Sequence, residues 1–400
     1  MKKLMILGAS ILQLPAIQMA TEMGLSVIVA DMNPEAMGFD VPGVIKEVIS
    51  TIDTPAILEA AKRHQIDGIM TLATDMPVVA VAKVSHELGL VGISEPGAHK
   101  ATNKALMRDA LRQAGVPIPL YFRVKRKEEF FEAVKRIRSA GYQCILKPAD
   151  NSGSRGIDLL NEDTDLDQAY EYTHQYSRGG EIVVEEFMVG PEVSVETLAI
   201  GGDIHVIQIT DKITTGAPYF VEMGHSQPSQ LDEETRKKIA EVAIAANKAI
   251  GITDGPSHTE IKVTADGPKI VELGARLGGD CITTHLVPLS TGVDMVECSI
   301  RIALGEKPDV SKKWNNGAAI RYLETPTGII ETIRGTDEAK AVPGVMQVSI
   351  VHHEGERANE IRSSGDRVGF VIARGVDAEE AVSVAEYARD LIEVEVKNDL

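Results

Sequence analysis

Two glutamates, Glu260 and Glu272, occupy the two arms of a predicted β-hairpin in the second half of the chain. A two-residue turn, 266–267, would pair Glu260 with Leu273, and the glutamates would then point to opposite faces. A three-residue loop, 265–267, with its glycine in the positive-φ position of a bulge, pairs Glu260 with Glu272 instead. We expect this second register, because it alone sorts apolar and polar side chains onto separate faces. The core face would hold Ile261, Val263, Val271 and Leu273, and the polar face His258, Glu260, Lys262 and Glu272.

The paired glutamates predict a metal site. Their Cβ atoms would lie about 5 Å apart, so the carboxylates repel each other unless a cation lies between them. When nucleotide phosphates complete the coordination shell of a Mg²⁺ ion, the protein usually supplies only two carboxylate ligands. Arg276, just after the second strand, could then stabilise charge on a transferred phosphoryl group. The alternative is a solvated hairpin face on which a nearby lysine softens the repulsion.

Composition limits the class of protein. The chain has 400 residues, of which 44% are hydrophobic and 25% charged, as in a soluble globular protein of several domains. Its net charge of −18, from 59 acidic and 41 basic residues, disfavours nucleic acid as a partner. The cysteines, Cys144, Cys281 and Cys298, lie too far apart in sequence to indicate a zinc site or a disulfide framework. We expect a cytoplasmic protein without a signal peptide or a membrane partner.

The first hundred residues follow the pattern of a parallel, Rossmann-like sheet. Strands and helices alternate from residue 4 to a short strand near Val91. A dinucleotide-binding dehydrogenase is an alternative, because Asp31 lies at a suitable distance after the first turn to bind a ribose. That turn, 8–13, lacks the second and third glycines of the dinucleotide fingerprint, which disfavours NAD.

The rest of the chain divides into three further segments. Strands and helices alternate around a glycine-rich loop in 118–187, which has the size of a small α+β lid. Two strands, a long irregular stretch from Thr214 to Gln230 and a long helix precede the hairpin. Short strands alternate after Asn316 until a final helix. The expected domains are the Rossmann-like unit, a linker helix with the lid, a central domain with the metal site and a C-terminal α+β domain, at 1–100, 101–190, 191–312 and 313–400.

Two segments of the lid could bind a nucleotide. Lys147 ends a strand beside the loop 148–156, whose small residues let backbone N–H groups approach phosphate oxygens. An ordinary hairpin connection would have a similar composition. The segment 185–192 follows a buried strand, so its backbone edge could hydrogen-bond an adenine while Glu192 accepts from ribose hydroxyls. The alternative is that these acidic residues only end a strand.

The order of these parts resembles the ATP-grasp superfamily of carboxylate–amine ligases over essentially the whole chain, most specifically from Lys104 to Asp280. The resemblance implies an ATP-grasp fold of α/β and α+β domains, with a Rossmann-like parallel sheet at the N-terminus and a sandwich-like C-terminal unit. It also implies ATP and two Mg²⁺ ions as cofactors, with Mn²⁺ as an alternative metal. The residues implied are Lys104 and Lys147 on the phosphates; Ser152, Gly153, Ser154 and Gly156 in a flap over them; Glu185, Phe187 and Met188 at the adenine; Glu192 on the ribose; Glu260 and Glu272 on the metal ions; and Arg276 at the reacting phosphate.

One position departs from the superfamily pattern. The superfamily often has an asparagine two residues after its second glutamate, and this chain has Gly274 there, which puts a third metal ligand in doubt. Amino-acid ligases are similar in lacking the asparagine, so the departure marks a subfamily. The segments 211–225 and 276–280 look like those of L-amino-acid (dipeptide) ligases, and 367–373 is similar to a closing unit that they share with biotin carboxylase-like enzymes.

The resemblance implies a ligase that forms an acyl phosphate from ATP and a carboxylate, which an amine then attacks to give an amide or peptide bond. Lys147 and Arg276 would be catalytic, the substrates would be amino acids, and a homodimer is expected from the likeness. Alternatives are a carbamoyl-phosphate synthase-like or bicarbonate-activating enzyme and a non-enzymatic nucleotide sensor. Candidates for the substrate pocket are Lys212, Tyr219, Glu222 and His225 in the long loop, and Gly278 and Gly279 after the hairpin.

Overall fold

The structure is a computed structural model that describes residues 1–151, 153 and 155–397. Within these residues the predicted α/β and α+β architecture is confirmed, with one parallel and three antiparallel sheets. The helices are α1 (Leu14–Glu22), α2 (Thr54–His64), α3 (Val78–Leu88), α4 (Glu95–Thr102), α5 (Lys104–Gln113), α6 (Lys127–Ser139), α7 (Leu166–Gln175), α8 (Glu233–Ile250), α9 (Val287–Thr291), α10 (Met295–Ala303), α11 (Thr336–Ala341) and α12 (Ala378–Asp390). None of these described helices has the length and apolar character that a membrane crossing requires.

The strands form four sheets in chain order. They are β1 (Lys3–Leu7), β2 (Ser26–Asp31), β3 (Ile45–Val48), β4 (Gly68–Thr71), β5 (Tyr121–Val124), β6 (Cys144–Pro148), β7 (Asp158–Leu160), β8 (Ile182–Glu186), β9 (Glu192–Ile200), β10 (Asp203–Thr214), β11 (Glu222–Gln227), β12 (Gly255–Thr264), β13 (Gly267–Gly274), β14 (Gly317–Tyr322), β15 (Gly328–Arg334), β16 (Val345–Ile350), β17 (Arg357–Ala358), β18 (Gly369–Gly375) and β19 (Glu393–Lys397).

The N-terminal sheet is parallel and has the order β3-β2-β1-β4, which confirms the Rossmann-like start. Successive residues of β1 belong to two different apolar clusters, so this strand is buried on both faces. The edge strand β3 escaped prediction because its residues, Ile-Lys-Glu-Val, are mostly exposed and lack an apolar run. The strand predicted near Val91 does not form, because that segment turns directly from α3 into α4.

The lid has an antiparallel sheet of order β5-β8-β6-β7 with α6 and α7 packed on one face. This order of elements confirms the prediction for residues 118–187. Because side chains alternate along β6, Leu146 lies in the lid core, whereas Ile145 and Lys147 face the opposite side. The lid sheet therefore presents one polar residue of β6 to the rest of the molecule.

The central sheet joins the middle of the chain to its end. Its order is β13-β12-β9-β10-β11-β14-β18-β16, so strands of the last segment extend the sheet of the preceding one. Helix α12 covers β14 and β18, and a small sheet of order β17-β15-β19 lies beside them. Strand β11 lies within the stretch 214–230 that was predicted to be irregular. Its residues, Glu-Met-Gly-His-Ser-Gln, have no apolar alternation, but β10 and β14 pair with it on both sides.

The β12–β13 hairpin pairs Glu260 with Glu272, which confirms the predicted pairing of the two glutamates. The predicted three-residue loop is wrong. Thr264 pairs with Gly267 across a two-residue turn, and the register shifts next to Glu260, so the extra residue of the bulge is Val271. Consequently Ile270 is buried in the core, while Val271 borders the cavity described below.

The segment after β8 crosses this hairpin closely at Gly190. Its φ is 142°, which favours glycine, and an added Cβ would lie 1.9 Å from the Val263 carbonyl oxygen. We expect Gly190→Ala to lower the free energy of unfolding, measured in urea, by at least about 2 kcal/mol. Gly202→Ala is the matched control, because Gly202 has a φ of 90° but no atom within 4 Å of the added Cβ. Equal losses in the two variants would contradict a steric role for Gly190.

Candidate active site

A cavity of about 500 Å³ lies where the lid, the β12–β13 hairpin and the loop after β4 meet. Most of the residues predicted for the site line it, although they come from segments far apart in sequence. Ser152 and Ser154 lie outside the described residues. The predicted residues in the cavity wall are Lys104, Lys147, Gly153, Glu185, Phe187, Met188, Glu192, Lys212, Glu222, His225, Glu260, Glu272, Arg276 and Gly279.

Two predicted glycines lie outside the cavity wall and have packing roles. Gly156 has a φ of 76°, and an added Cβ would lie 2.6 Å from the Tyr176 Cβ, so this glycine lets the loop pack against the residue after α7. Gly278 packs closely against His258: a Cβ added at Gly278 would lie 2.7 Å from the His258 Nδ1. Neither position tolerates a side chain without movement of its neighbours.

Tyr219 also lies outside the cavity wall, and the next residue takes its place. The Tyr219 ring packs against Arg362, whose Cζ is 5.5 Å from the ring centroid. Phe220 has a φ of 51°, and its ring lies in the wall, 5.9 Å from the ring of Phe187. Because the two neighbouring rings point to different sides of the loop, the composition of the loop could not tell which one faces the site.

Lys147 is held by a buried carboxylate. Glu185 accepts from the Lys147 Nζ at 2.9 Å and from the Arg108 Nε and Nη2 at 2.5 and 3.1 Å. Burial raises the pKa of Glu185, but the charges of Arg108 and Lys147 outweigh burial and lower it to about 2. Glu185 was predicted to lie at the adenine. In the structure its carboxylate contacts two cations, one of which is Lys147, and its residue lines the cavity beside Phe187 and Met188.

Lys104 connects the lid to the hairpin. It is the first residue of α5, whose N-cap residue Asn103 accepts from the Leu106 N–H. Its ammonium donates to a Glu272 carboxylate oxygen at 2.6 Å and to the Asn151 carbonyl oxygen at 2.7 Å. Lys104 therefore lies between the loop predicted to bind phosphates and the carboxylate predicted to bind metal.

Glu260 also faces cations. The Lys212 Nζ donates to Glu260 at 3.0 Å and to Glu192 at 2.8 Å. Burial raises the pKa of Glu260, but Lys212 and His258 lower it well below its ordinary value. Burial lowers the pKa of Lys212, but Glu260, Glu192 and Glu222 raise it well above its ordinary value. Lys212, predicted for the substrate pocket, thus lies between the residues predicted for ribose and metal.

A second charged pair lies beneath Glu260. The Nδ1 of His258 is 2.7 Å from an oxygen of the fully buried Glu196, and its Nε2 is 3.6 Å from Glu260. Burial lowers the pKa of His258, but the Glu196 and Glu260 carboxylates raise it to about 9. At neutral pH the ring is therefore an imidazolium, whose two N–H groups face carboxylates on opposite sides.

The chain after β8 presents backbone groups to the cavity. The Glu186 N–H donates to the Leu120 carbonyl oxygen, and the Phe187 N–H donates to that of Gln143. Among the described residues, none accepts from the Met188 N–H. Phe187 and Met188 both line the cavity, so this N–H is a candidate donor to a planar heterocycle bound there.

Arg276 pairs with an acid from the N-terminal unit. Its Nε lies 3.0 Å from the Asp75 Oδ1, and its Nη2 lies 3.3 Å from the Oδ2. Burial lowers the pKa of Arg276, but Asp75 raises it above its ordinary value, so the guanidinium is charged. Both side chains line the cavity.

An arginine of the C-terminal segment pairs with an acid of the cavity wall. Arg367 donates from Nη2 and Nη1 to the two carboxylate oxygens of Asp280 at 2.8 and 2.9 Å, and its Cζ lies 3.7 Å from the Tyr322 ring centroid. The His225 Nε2 is 3.5 Å from Asp280. Burial raises the pKa of Asp280, but Arg367 and His225 lower it well below its ordinary range. The wall therefore keeps an ionised carboxylate.

The donor set of the hairpin fits a hard divalent cation, because two opposed carboxylates line the cavity. The lysines at Glu260 and Glu272 offset their repulsion, so the pairing by itself does not require a metal. No group of three or more His, Cys, Asp or Glu suited to a metal occurs in the described part of the chain. An ion bound to Glu260 and Glu272 would need further ligands from phosphate or water.

Several residues of the site were not found from the sequence. Asp75 follows the carboxyl end of β4, which is where parallel sheets bind ligands, so this position gave a usable signal. Arg108 lies four residues after Lys104 and shares its helix face, which is a second usable signal. For Glu196 the sequence contained no usable signal, because its partner His258 lies on another strand, 62 residues away.

Comparisons with known proteins agree with this geometry. Residues 140–284 match the family model of the ATP-grasp domain, and residues 321–397 match that of the L-amino acid ligase C-terminal domain 2. The chain is 29% identical over 337 residues to the uncharacterized protein y4rH of Sinorhizobium fredii, which covers 83% of this chain and 69% of that protein.

Two further relatives have named activities. The chain is 30% identical over 246 residues to the alanine–anticapsin ligase of Bacillus subtilis, which covers 56% of this chain and 51% of that ligase. The alignment thus spans about half the length of that relative. The crystal structure of an L-amino acid ligase from Bacillus licheniformis matches with a TM-score of 0.85 and 25% identity, over 100% of this chain and 99% of that one. The chain therefore contains an ATP-grasp domain followed by an L-amino acid ligase C-terminal domain, a combination that supports an ATP-dependent ligase forming carbon–nitrogen bonds.

Proposed function

We propose that this ligase activates the carboxylate of one amino acid with ATP and joins it to the amine of a second amino acid. The observation that carries the proposal is the convergence of two opposed glutamates, two lysines and an arginine on one cavity. The full-length match to an L-amino acid ligase supports amino acids as the substrates. In this proposal the four segments 1–100, 101–190, 191–312 and 313–400 act together, since Asp75, Lys147, Glu260 and Ser364 all line the cavity.

The nucleotide would lie between the lid and the hairpin. The Met188 N–H would donate to the adenine, whose faces would contact Phe187 and Met188. Glu192, beside Lys212, would accept from the ribose hydroxyls. The ammonium groups of Lys104 and Lys147 would bind the phosphates, and Gly153 in the loop after β6 lets backbone N–H groups approach them.

Glu260 and Glu272 would hold Mg²⁺ between them and the phosphates. Two ions are our proposal, with Mn²⁺ as an alternative metal. Bound there, the metal would supply positive charge that neutralises the phosphate oxygens. The lysines next to both carboxylates indicate that this part of the cavity is built to balance charge.

In the proposed reaction, an oxygen of the substrate carboxylate attacks the γ-phosphorus atom, the bond to ADP breaks, and an acyl phosphate forms. The amine of the second substrate then attacks the acyl carbon, phosphate leaves, and the nitrogen loses a proton as the amide forms. Arg276 stabilises the charge on the transferred group, and Lys147, oriented by Glu185, positions the phosphates. The lid keeps water away from the acyl phosphate.

The wall beyond Arg276 suits a zwitterionic substrate. Glu222 and the ionised Asp280 can accept from an ammonium group, and His225 lies next to Asp280 in the same wall. We therefore retain Glu222, His225 and Gly279 as candidates for the substrate pocket. Bicarbonate activation is the weaker proposal, because the match to an L-amino acid ligase domain covers the segment that contains Arg367.

We expect phosphate release from ATP and Mg²⁺ to depend on added amino acids and to be accompanied by a dipeptide. The physical reason is that the proposed acyl phosphate forms only on a bound carboxylate and yields product only with a bound amine. The assay measures released phosphate against a panel of single and paired amino acids, with mass spectrometry of the products. Stimulation by bicarbonate alone, without a dipeptide, would favour the carboxylase-type alternative.

We expect Glu272→Gln to lower kcat for phosphate release by at least about 100-fold, because the variant loses one of the two charged metal ligands. Asp266→Asn is the matched control: it removes an acidic charge from the tip of the same hairpin, where the side chain is 74% exposed. Circular dichroism and thermal unfolding check that both variants are folded. A Glu272→Gln variant with normal turnover would disprove the metal assignment.

A further inference from the structure

We propose that Asp75 is a positioning residue that orients the Arg276 guanidinium toward the reacting phosphate. This inference rests on the proposed function, because it assigns Arg276 to the transferred group. Asp75 belongs to the loop between β4 and α3 of the N-terminal unit, 201 residues from its partner. The N-terminal unit would therefore contribute directly to the geometry of the reaction.

The contact between Asp75 and Arg276 uses two hydrogen bonds. The carboxylate oxygens Oδ1 and Oδ2 accept from Nε and Nη2 at 3.0 and 3.3 Å. The two side chains are only 19% and 16% exposed, so the pair is largely shielded from water. Two parallel hydrogen bonds fix both the position and the plane of a guanidinium, whereas one bond leaves it free to rotate.

The remaining donors of Arg276 are suited to an anion. The Leu277 carbonyl oxygen accepts from Nη1 at 3.3 Å, and Asp75 uses Nε and one N–H of Nη2. Among the contacts of the described residues, one N–H on each Nη nitrogen has no acceptor. These two N–H groups remain to donate to the oxygens of a phosphoryl group.

Gly274 makes room for this pair. A Cβ added at Gly274 would lie 2.8 Å from the Asp75 Oδ1 and 3.1 Å from the Arg276 Cζ and Nε. An asparagine here would therefore clash with the pair that holds the arginine. The Asp75–Arg276 contact thus occupies the space that the asparagine common in the superfamily would need.

The loop that carries Asp75 is itself fixed. Ala73 has a φ of 58°, which is unusual for a residue other than glycine, and the Gln13 Nε2 donates to the Leu72 carbonyl oxygen at 2.6 Å. The Asp75 carbonyl oxygen accepts from the Val78 N–H at the start of α3. A side chain on such a loop can hold its partner in one place.

The Asp75→Asn variant distinguishes two roles of Asp75: orienting the Arg276 guanidinium, or only adding a negative charge to the cavity. The substitution keeps the shape of the side chain but replaces one acceptor oxygen by an NH₂ group, which cannot accept from the guanidinium. If Asp75 acts by orientation, we expect kcat to fall by about 10- to 100-fold with little change in the ADP dissociation constant. If its negative charge only weakens the attraction for phosphate, kcat rises and ADP binds more tightly, which overturns the proposal.

A double-mutant cycle tests whether Asp75 acts through Arg276. We expect Arg276→Ala to be strongly impaired and Asp75→Asn/Arg276→Ala to be no worse than Arg276→Ala alone. Losses that multiply in the double variant overturn the proposal, because Asp75 would then act independently. Asp67→Asn is the control, because Asp67 is an exposed acid of the same unit that accepts only from the Lys3 N–H in the described structure.

A measurement without turnover separates this inference from the proposed function. Solvent exchange of the Arg276 Nε–H, followed by ¹⁵N NMR and assigned with Arg276→Lys, should be slow in the wild type and at least tenfold faster in Asp75→Asn. Equal exchange rates overturn the positioning role whether or not the enzyme ligates amino acids. Absence of phosphate release from the wild type and from Asp67→Asn with every amino acid would reject the proposed function alone.

Discussion

Neutralisation of enclosed carboxylates by cations is the constraint on which this site depends. Burial by itself raises the pKa of Glu185, Glu260 and Asp280, and would leave them protonated and unable to bind cations. Each of them remains ionised because a cation from another element faces it. Removing one such cation leaves an uncompensated charge, which costs far more than a surface ion pair contributes. The facing cations are Arg108, Lys212 and Arg367.

The same contacts hold together segments that are distant in sequence. Lys104 and Glu272 are 168 residues apart, and Asp280 and Arg367 are 87 residues apart. In each pair the two opposite charges come from different segments of the chain. The charges of these two pairs are therefore balanced only when the lid, the central sheet and the C-terminal segment are docked.

Local patterns in the sequence predicted the elements that carry the site, but not the contacts between them. The order of elements in the lid and the pairing of Glu260 with Glu272 follow from apolar alternation, which is a local property. The bulge at Val271 could not be predicted from the sequence. A two-residue turn followed by a bulge and a three-residue loop both pair Glu260 with Glu272, so the sequence pattern does not distinguish them. The partner of Arg276 depends on docking of the N-terminal unit, which leaves no trace in local periodicity.

The lysines and the proposed metal ions both neutralise the negative charge of Glu260 and Glu272. In the structure Lys104 and Lys212 lie against the two hairpin glutamates. A triphosphate would compete for Lys104, because its ammonium also faces the phosphate loop through the Asn151 carbonyl oxygen. Any shift of Lys104 toward phosphate exposes Glu272, whose carboxylate then needs another cation. We therefore expect nucleotide and divalent metal to bind cooperatively, since each supplies the charge that the other leaves unbalanced.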